Sequence, residues 1–290
     1  TDDVLRMDAI TDELVNRKAL QTYLTESLLA GKRYDQLTQE LLTATGTNSP
    51  DDDRFNGAVS FVLSGVEGQR TQLAAKVGHL FLGRQAQCAA CHDATKGIGD
   101  GLSQQQFWQL AAFFQQAKPQ RTGNGAVQLV DADYVGPTGD VDEAEVFYDT
   151  PDEQRKIAYP VFIHGQRVNP SGRVAEVNRR AELARMIVAS EDFSRTAVKR
   201  HWPKLLAPHG NHNESAIPDN ELVHALAEQF AASGFDQKRL LRWIVLSDAN
   251  TGVEADSRWD EAPLYADATS ALEDISRRGS LEVLDFAGPD

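Results

Sequence analysis

The sequence predicts a mainly α-helical fold with a small β-rich insertion, on three observations. Apolar residues recur at helical spacing from the first residues to about position 122, a Gly-, Pro- and Asp-punctuated stretch carries short β-like runs, and helical spacing then resumes. The expected organisation is a helical domain over 1–122, a β-rich insertion or arm over 123–170, a helical C-terminal domain over 171–248 and an acidic extension over 249–290. At 290 residues with 41% hydrophobic content, the chain is long enough to bury a sizeable core in one or two domains.

From Asp3 to Leu42 the apolar positions Leu20, Leu24, Leu28, Leu29, Leu37, Leu41 and Leu42 follow a helical period, and Gly31-Lys32 divides them into two helices. The run from Gly46 to Asp53 reads as a polar turn. A further helix covers Leu73 to Gly83 and leads into the only two cysteines of the chain, and Asp93 to Gly101 then reads as loop. Ser103 is a candidate N-cap for a helix running through Gln106 to Phe114, whose Phe107, Trp108, Leu110, Phe113 and Phe114 give it an aromatic face. That face suits ordinary core and the wall of a bound apolar cofactor alike.

Three β-like runs follow, Ala126–Val130, Glu145–Tyr148 and Tyr159–Ile163. Helical periodicity then returns in Asn178–Val188, Ser194–Leu206, Asp219–Ser233 and Gln237–Leu246. The last forty or so residues, with Asp248, Glu254, Asp256, Asp260, Glu261 and Asp267, read as a loosely structured acidic tail.

The segment that carries chemistry is Cys88-Ala89-Ala90-Cys91-His92, the C-x-x-C-H spacing of covalent c-type haem attachment. Two thiols three positions apart can each form a thioether to one haem vinyl group, and the adjacent imidazole then reaches the iron. Both cysteines fall in this one pentapeptide. A zinc site would need a second ligand pair, which only histidines such as His79, His209 and His212 could supply. A redox dithiol would place C-x-x-C at a strand-to-helix turn, whereas here a helix precedes and a loop follows. The favoured expectation is one covalent haem c held by Cys88, Cys91 and His92, with His92 as proximal iron ligand.

For the opposite face of the iron the methionines are few, Met7 and Met186, and Met186 shares an apolar helix face with Leu183 and Ile187 that suits core packing. His79 lies thirteen residues before His92. A continuous helix would put it roughly 20 Å away, so only a break at Gly83 could bring it within reach. His164, in a turn after a β-like run, and His201, beside Trp202, are the candidate distal ligands. His209 and His212 form an H-x-x-H loop that reads as an exposed polar turn.

The formal net charge of -14, from 43 acidic against 29 basic residues, argues against nucleic-acid binding and steers a basic docking surface toward this one. No run reaches the ~18 apolar residues of a membrane span. Haem c is attached outside the cytoplasmic membrane in bacteria, so a periplasmic or secreted location is expected; Thr1-Asp2-Asp3-Val4 shows no basic and apolar signal segment, which suggests a processed N-terminus.

Leu80 to Asp93, together with Gln106 to Phe114, resembles the haem region of the large secreted cytochrome-like proteins of planctomycetes. In those proteins a C-x-x-C-H domain of unknown function precedes a second conserved domain. Arg180–Val188, Arg200-His201-Trp202 and Glu221–Phe235 resemble that second domain, so the likeness spans roughly Arg17 to Asp248. The resemblance implies haem binding and export. The chain departs from the family pattern where C-H-D-H-P-F-D becomes Cys91-His92-Asp93-Ala94-Thr95-Lys96, where Lys204 replaces a histidine, and where Pro218-Asp219-Asn220-Glu221 replaces Ser-His-Pro-Glu. The roles of the family's missing histidines are not carried over.

The expected function is one-electron transfer by a monohaem c-type cytochrome that serves as a subunit of a larger exported assembly and docks a redox partner protein. The alternatives are a haem enzyme or a gas or peroxide sensor with an open distal site, and a binding subunit in which haem is a structural staple.

Overall fold

The computed structural model describes residues 14–66, 70–93, 101–123, 125–206 and 221–246. The helix-rich expectation holds, with small sheets: the described residues form nine α-helices and two antiparallel sheets. The chain divides into two compact units, residues 1–190 and 191–290.

The first unit begins with α1 (Arg17–Leu29), whose start is fixed by Asn16 accepting a hydrogen bond from Ala19 N at 2.9 Å. The break expected at Gly31-Lys32 is present, with Gly31 at φ 69°, and α2 (Tyr34–Thr43) buries Leu37, Leu41 and Leu42. The stretch read as a polar turn contributes β1 (Gly46–Thr47) at its start, because Gly46 and Thr47 pair with Leu129 and Gln128. Next come α3 (Val59–Leu63), buried along its whole length, and α4 (Thr71–Leu82), which buries Leu73, Val77, Leu80 and Phe81. Helix α5 (Gln104–Ala112) starts where the sequence places it: Ser103 accepts from Gln106 N, and the Gln106 amide oxygen accepts from Ser103 N in return.

The strands are β2 (Ala117–Arg121), β3 (Val127–Asp131), β4 (Val146–Asp149) and β5 (Arg155–Ala158). The first sheet runs β1-β3-β2, and β4 pairs with β5 in a separate hairpin. Two runs were expected correctly, in β3 and β4. Strand β2 was read as part of the helical region; its Pro119 cannot donate a ladder hydrogen bond and sits on an edge strand that pairs only with β3. The third expected run, Tyr159–Ile163, makes only an isolated bridge from Val161 to Arg167, and the partner of β4 is instead Arg155–Ala158. Arg155, Lys156 and Ile157 are exposed and show no alternation, so pairing with β4 creates this strand where the sequence pattern gives no signal.

Helix α6 (Arg179–Val188), capped by Asn178 accepting from Ala181 N, ties these parts together through two fully buried arginines. Arg179 donates to the carbonyls of Ala112, Ala144, Pro170 and Ser171 at 3.1, 2.8, 2.6 and 3.2 Å, and its guanidinium stacks 5.7 Å from the Tyr134 ring centre. Burial pushes it down to about 10. Arg180 pairs with Asp131 at 2.8 Å and donates to the carbonyls of Leu42 and Ala44, linking α2 to β3. Met186, on the same helix, is 9% exposed and packs as core.

Gly172 occupies a point of closest backbone approach. A Cβ there would lie 1.7 Å from the Tyr134 carbonyl oxygen and 2.8 Å from Ala144 Cβ, while Gly172 N donates to Val141 O and Gly172 O accepts from Tyr134 N and the Gln116 amide. Gly172→Ala is therefore expected to cost about 3 kcal/mol or more in a denaturant titration, since backbone on both sides must shift to admit one methyl group.

In the second unit α7 (Glu191–Leu206), α8 (Glu221–Ala232) and α9 (Gln237–Leu246) pack around Phe193, Val198, Leu226, Phe230 and Leu240. Phe235, reached through Gly234 at φ 74°, places its ring 5.4 Å from both Phe193 and Phe230. Met7, most of the expected loop from Asp93 to Gly101, the His209/His212 loop and the acidic extension lie outside the described residues.

Candidate functional site

Helix α4 ends at Gly83, which takes the left-handed conformation at φ 64° while Arg84 N donates back to Gly78 O at 2.9 Å. The chain therefore leaves the helix axis five residues before Cys88. Gln87–Ala90 forms one tight 3-10 turn, closed by hydrogen bonds from Ala89 N to Ala86 O and from Cys91 N to Cys88 O at 3.1 and 3.2 Å. Ala89 is buried and anchors the turn, while Cys88, Cys91 and His92 are all exposed and both thiols are free.

The imidazole of His92 is held by its own backbone neighbour, with Nδ1 2.8 Å from the carbonyl oxygen of Asp93. A carbonyl only accepts, so this contact fixes the proton on Nδ1 and leaves the Nε2 lone pair available as a ligand. Two exposed thiols and an exposed imidazole that, when neutral, bonds through Nδ1 and keeps Nε2 for a metal form the donor set that covalent haem attachment requires, so the residues present fit that group.

Helix α5 and the β4–β5 hairpin support the segment from below. Asp93 Oδ1 accepts from Gln104 N at 2.8 Å, so the residue after His92 caps the first turn of α5. Trp108 Nε1 donates to Ala90 O at 3.0 Å, and the indole lies parallel to the Tyr148 ring of β4, 5.7 Å between centres. Burial pushes the Tyr148 phenol up, and the negative charge of Asp93 adds to the shift.

Of the aromatic face of α5, Phe107, Leu110, Phe113 and Phe114 are fully buried in the protein core. Trp108 is the member that reaches the Cys88–His92 segment. The sequence could not separate these two uses, because all five residues share one hydrophobic helical period.

Among the other expected ligands, His79 lies on the exposed side of α4 and His201 lies in α7 of the second unit. His164 is exposed in the turn closed by Gly165 N donating to Phe162 O, and its ring meets Phe162 edge-on at 5.6 Å. The preceding residue, Ile163, accepts from the Gln106 amide at 3.3 Å, which sets the His164 turn against the same N-terminal turn of α5 that Asp93 caps. Among the described residues no three His, Cys, Asp or Glu side chains converge in an arrangement that could hold a metal ion, and no helix is long and apolar enough to cross a membrane.

Sequence reasoning did not single out Gln104, Asp93 and Tyr148 as parts of this site. Asp93 follows the motif directly and so was the one of the three with a local signal.

Residues 3–119 match the model of a family described as "PSCyt2: Protein of unknown function (DUF1549)". That description is compatible with the cytochrome-like planctomycete resemblance and extends to the whole Cys88–His92 segment and α5. No curated protein and no solved structure matches the chain.

Proposed function

We propose that this chain is a monohaem c-type cytochrome that carries single electrons, attached to its cofactor through Cys88 and Cys91 and supplying His92 as the proximal iron ligand. The observation that carries this reading is the hydrogen bond from His92 Nδ1 to Asp93 O beside two exposed thiols, which leaves Nε2 of the neutral ring as the ligand atom. When bound, haem supplies a ferric/ferrous one-electron couple. The chain's own residues do the rest. Cys88 and Cys91 would form the two thioether bonds, Asp93 O accepts from the imidazole, and Trp108 and Gln104 hold the peptide of Ala90.

His164 would be the candidate second protein ligand to the iron, its turn being tied to the first turn of α5 in the same compact unit as the motif. Attachment of haem c implies export across the cytoplasmic membrane. The net charge of -14 favours a partner with a basic docking surface, in an assembly where this chain is one subunit.

Mass spectrometry of the native protein should find the mass of one haem and no free thiol. Absorbance of the reduced protein should show the sharp bands of six-coordinate low-spin iron, unchanged by carbon monoxide. Two unmodified thiols would overturn the haem assignment, and rapid carbon monoxide binding would replace the carrier with an open-site enzyme or sensor.

A further inference from the structure

Gln104 brackets His92 from both sides of the chain. Its side-chain nitrogen lies 3.1 Å from Cys91 O and 3.3 Å from Ala90 O, just before the histidine, and its backbone nitrogen lies 2.8 Å from Asp93 Oδ1, just after it. The same amide reaches Asp149 O at 3.0 Å, at the end of β4 where the hairpin turns. Every partner is an acceptor, and two amide hydrogens serve three carbonyls. The residue is 5% exposed, so water does not replace these contacts when they are lost.

We propose that Gln104 is the positioning residue of the Cys88–His92 segment. It fixes the peptides on both sides of His92 from the rigid first turn of α5 and couples them to the β4–β5 hairpin. This inference rests on the haem reading for its functional meaning, but the geometry it asserts exists without haem. The segment's own backbone bonds are those of one 3-10 turn and a 3.3 Å contact from His92 N to Cys88 O, and α5 supplies the rigidity. A ring tethered through two sulfurs can then meet an imidazole whose direction is already set.

The chemistry predicts which substitutions fail. Gln104→Met keeps the length and loses the donor; Gln104→Glu keeps the shape and sets a carboxylate against three carbonyls; Gln104→His keeps one N–H at similar reach. The test is hydrogen exchange on the full reduced chain produced without haem, read at the amides of Ala89, Cys91 and His92 and, as control, at Leu20 and Leu24 of α1.

The Met and Glu variants should exchange about tenfold or more faster at the three motif amides with the control amides unchanged, and the His variant should stay near wild type. Wild-type exchange in Gln104→Met overturns the proposal. So does a His variant that exchanges as fast as the Met variant. If Gln104→Met also loosens α1, the comparison of Glu with His decides the question. Haem mass on the native wild-type protein is a separate measurement, so failure of the cofactor reading and failure of the Gln104 role are told apart.

Discussion

Replacing Arg179 with leucine is expected to lower the unfolding free energy of the first unit by about 4 kcal/mol or more, enough to leave many molecules unfolded at physiological temperature. The reason is the identity of its partners. Arg179 is fully buried, and its guanidinium serves four main-chain carbonyls, those of Ala112, Ala144, Pro170 and Ser171. A buried ion pair can often be replaced by apolar residues of the same volume, because both charges leave together. Here the acceptors belong to the backbone and remain after the substitution; the Pro170 oxygen keeps the amide of Ala144, and each carbonyl left without a donor costs roughly 1–3 kcal/mol. Arg179→Lys should recover only part of the loss, since an ammonium has three donors and cannot lie flat over the Tyr134 ring. Urea titration followed by circular dichroism measures both variants. A leucine variant within 1 kcal/mol of wild type would show that these carbonyls find other donors.

His92→Ala is expected to leave the mass of one haem on the chain and to remove the six-coordinate low-spin spectrum altogether. In the proposed reading the sulfurs and the imidazole would have separate tasks: Cys88 and Cys91 would hold the ring by covalent bonds, whereas His92 would offer only its Nε2 lone pair. Deleting the imidazole therefore changes coordination without releasing the cofactor. Added imidazole should restore the low-spin bands, because the cavity left by the side chain opens to solvent at an exposed position. The converse variant, Cys88→Ser with Cys91→Ser, should lose all covalent haem while folding normally, since both thiols are exposed and support no core contact. An unchanged spectrum in His92→Ala would transfer the proximal role to another residue.

The helices were legible because their signals are local. Ser103 precedes an apolar period and accepts the expected first-turn hydrogen bond, and Asn16 and Asn178, which the sequence reading did not name as caps, cap their helices in the same way. The Cys88–His92 segment stands out in the sequence for the same reason, its five-residue spacing being local. Strand β5 was not, because Arg155-Lys156-Ile157-Ala158 has no alternating pattern and gains its structure from pairing with Val146–Asp149. Strand β2 was hidden by Pro119, a residue that opposes strand assignment except at an edge. Gln104 escaped notice because a glutamine at the first helical position looks like an ordinary surface residue. Its partners lie 13, 14 and 45 residues away along the chain, and such distances are invisible to local pattern. The burial of the two arginines of α6 has no local signal either: consecutive cations normally lie on a solvated face, yet both are fully buried.

Asp93 and Gln104, eleven positions apart, are joined by a 2.8 Å hydrogen bond. The residues at the two ends of this interval are thus held together by a contact that involves none of the residues between them. Lengthening a closed segment twofold costs only about 0.6 kcal/mol. Added length between residues 93 and 104 is therefore expected to cost little in closure entropy so long as this one hydrogen bond is kept.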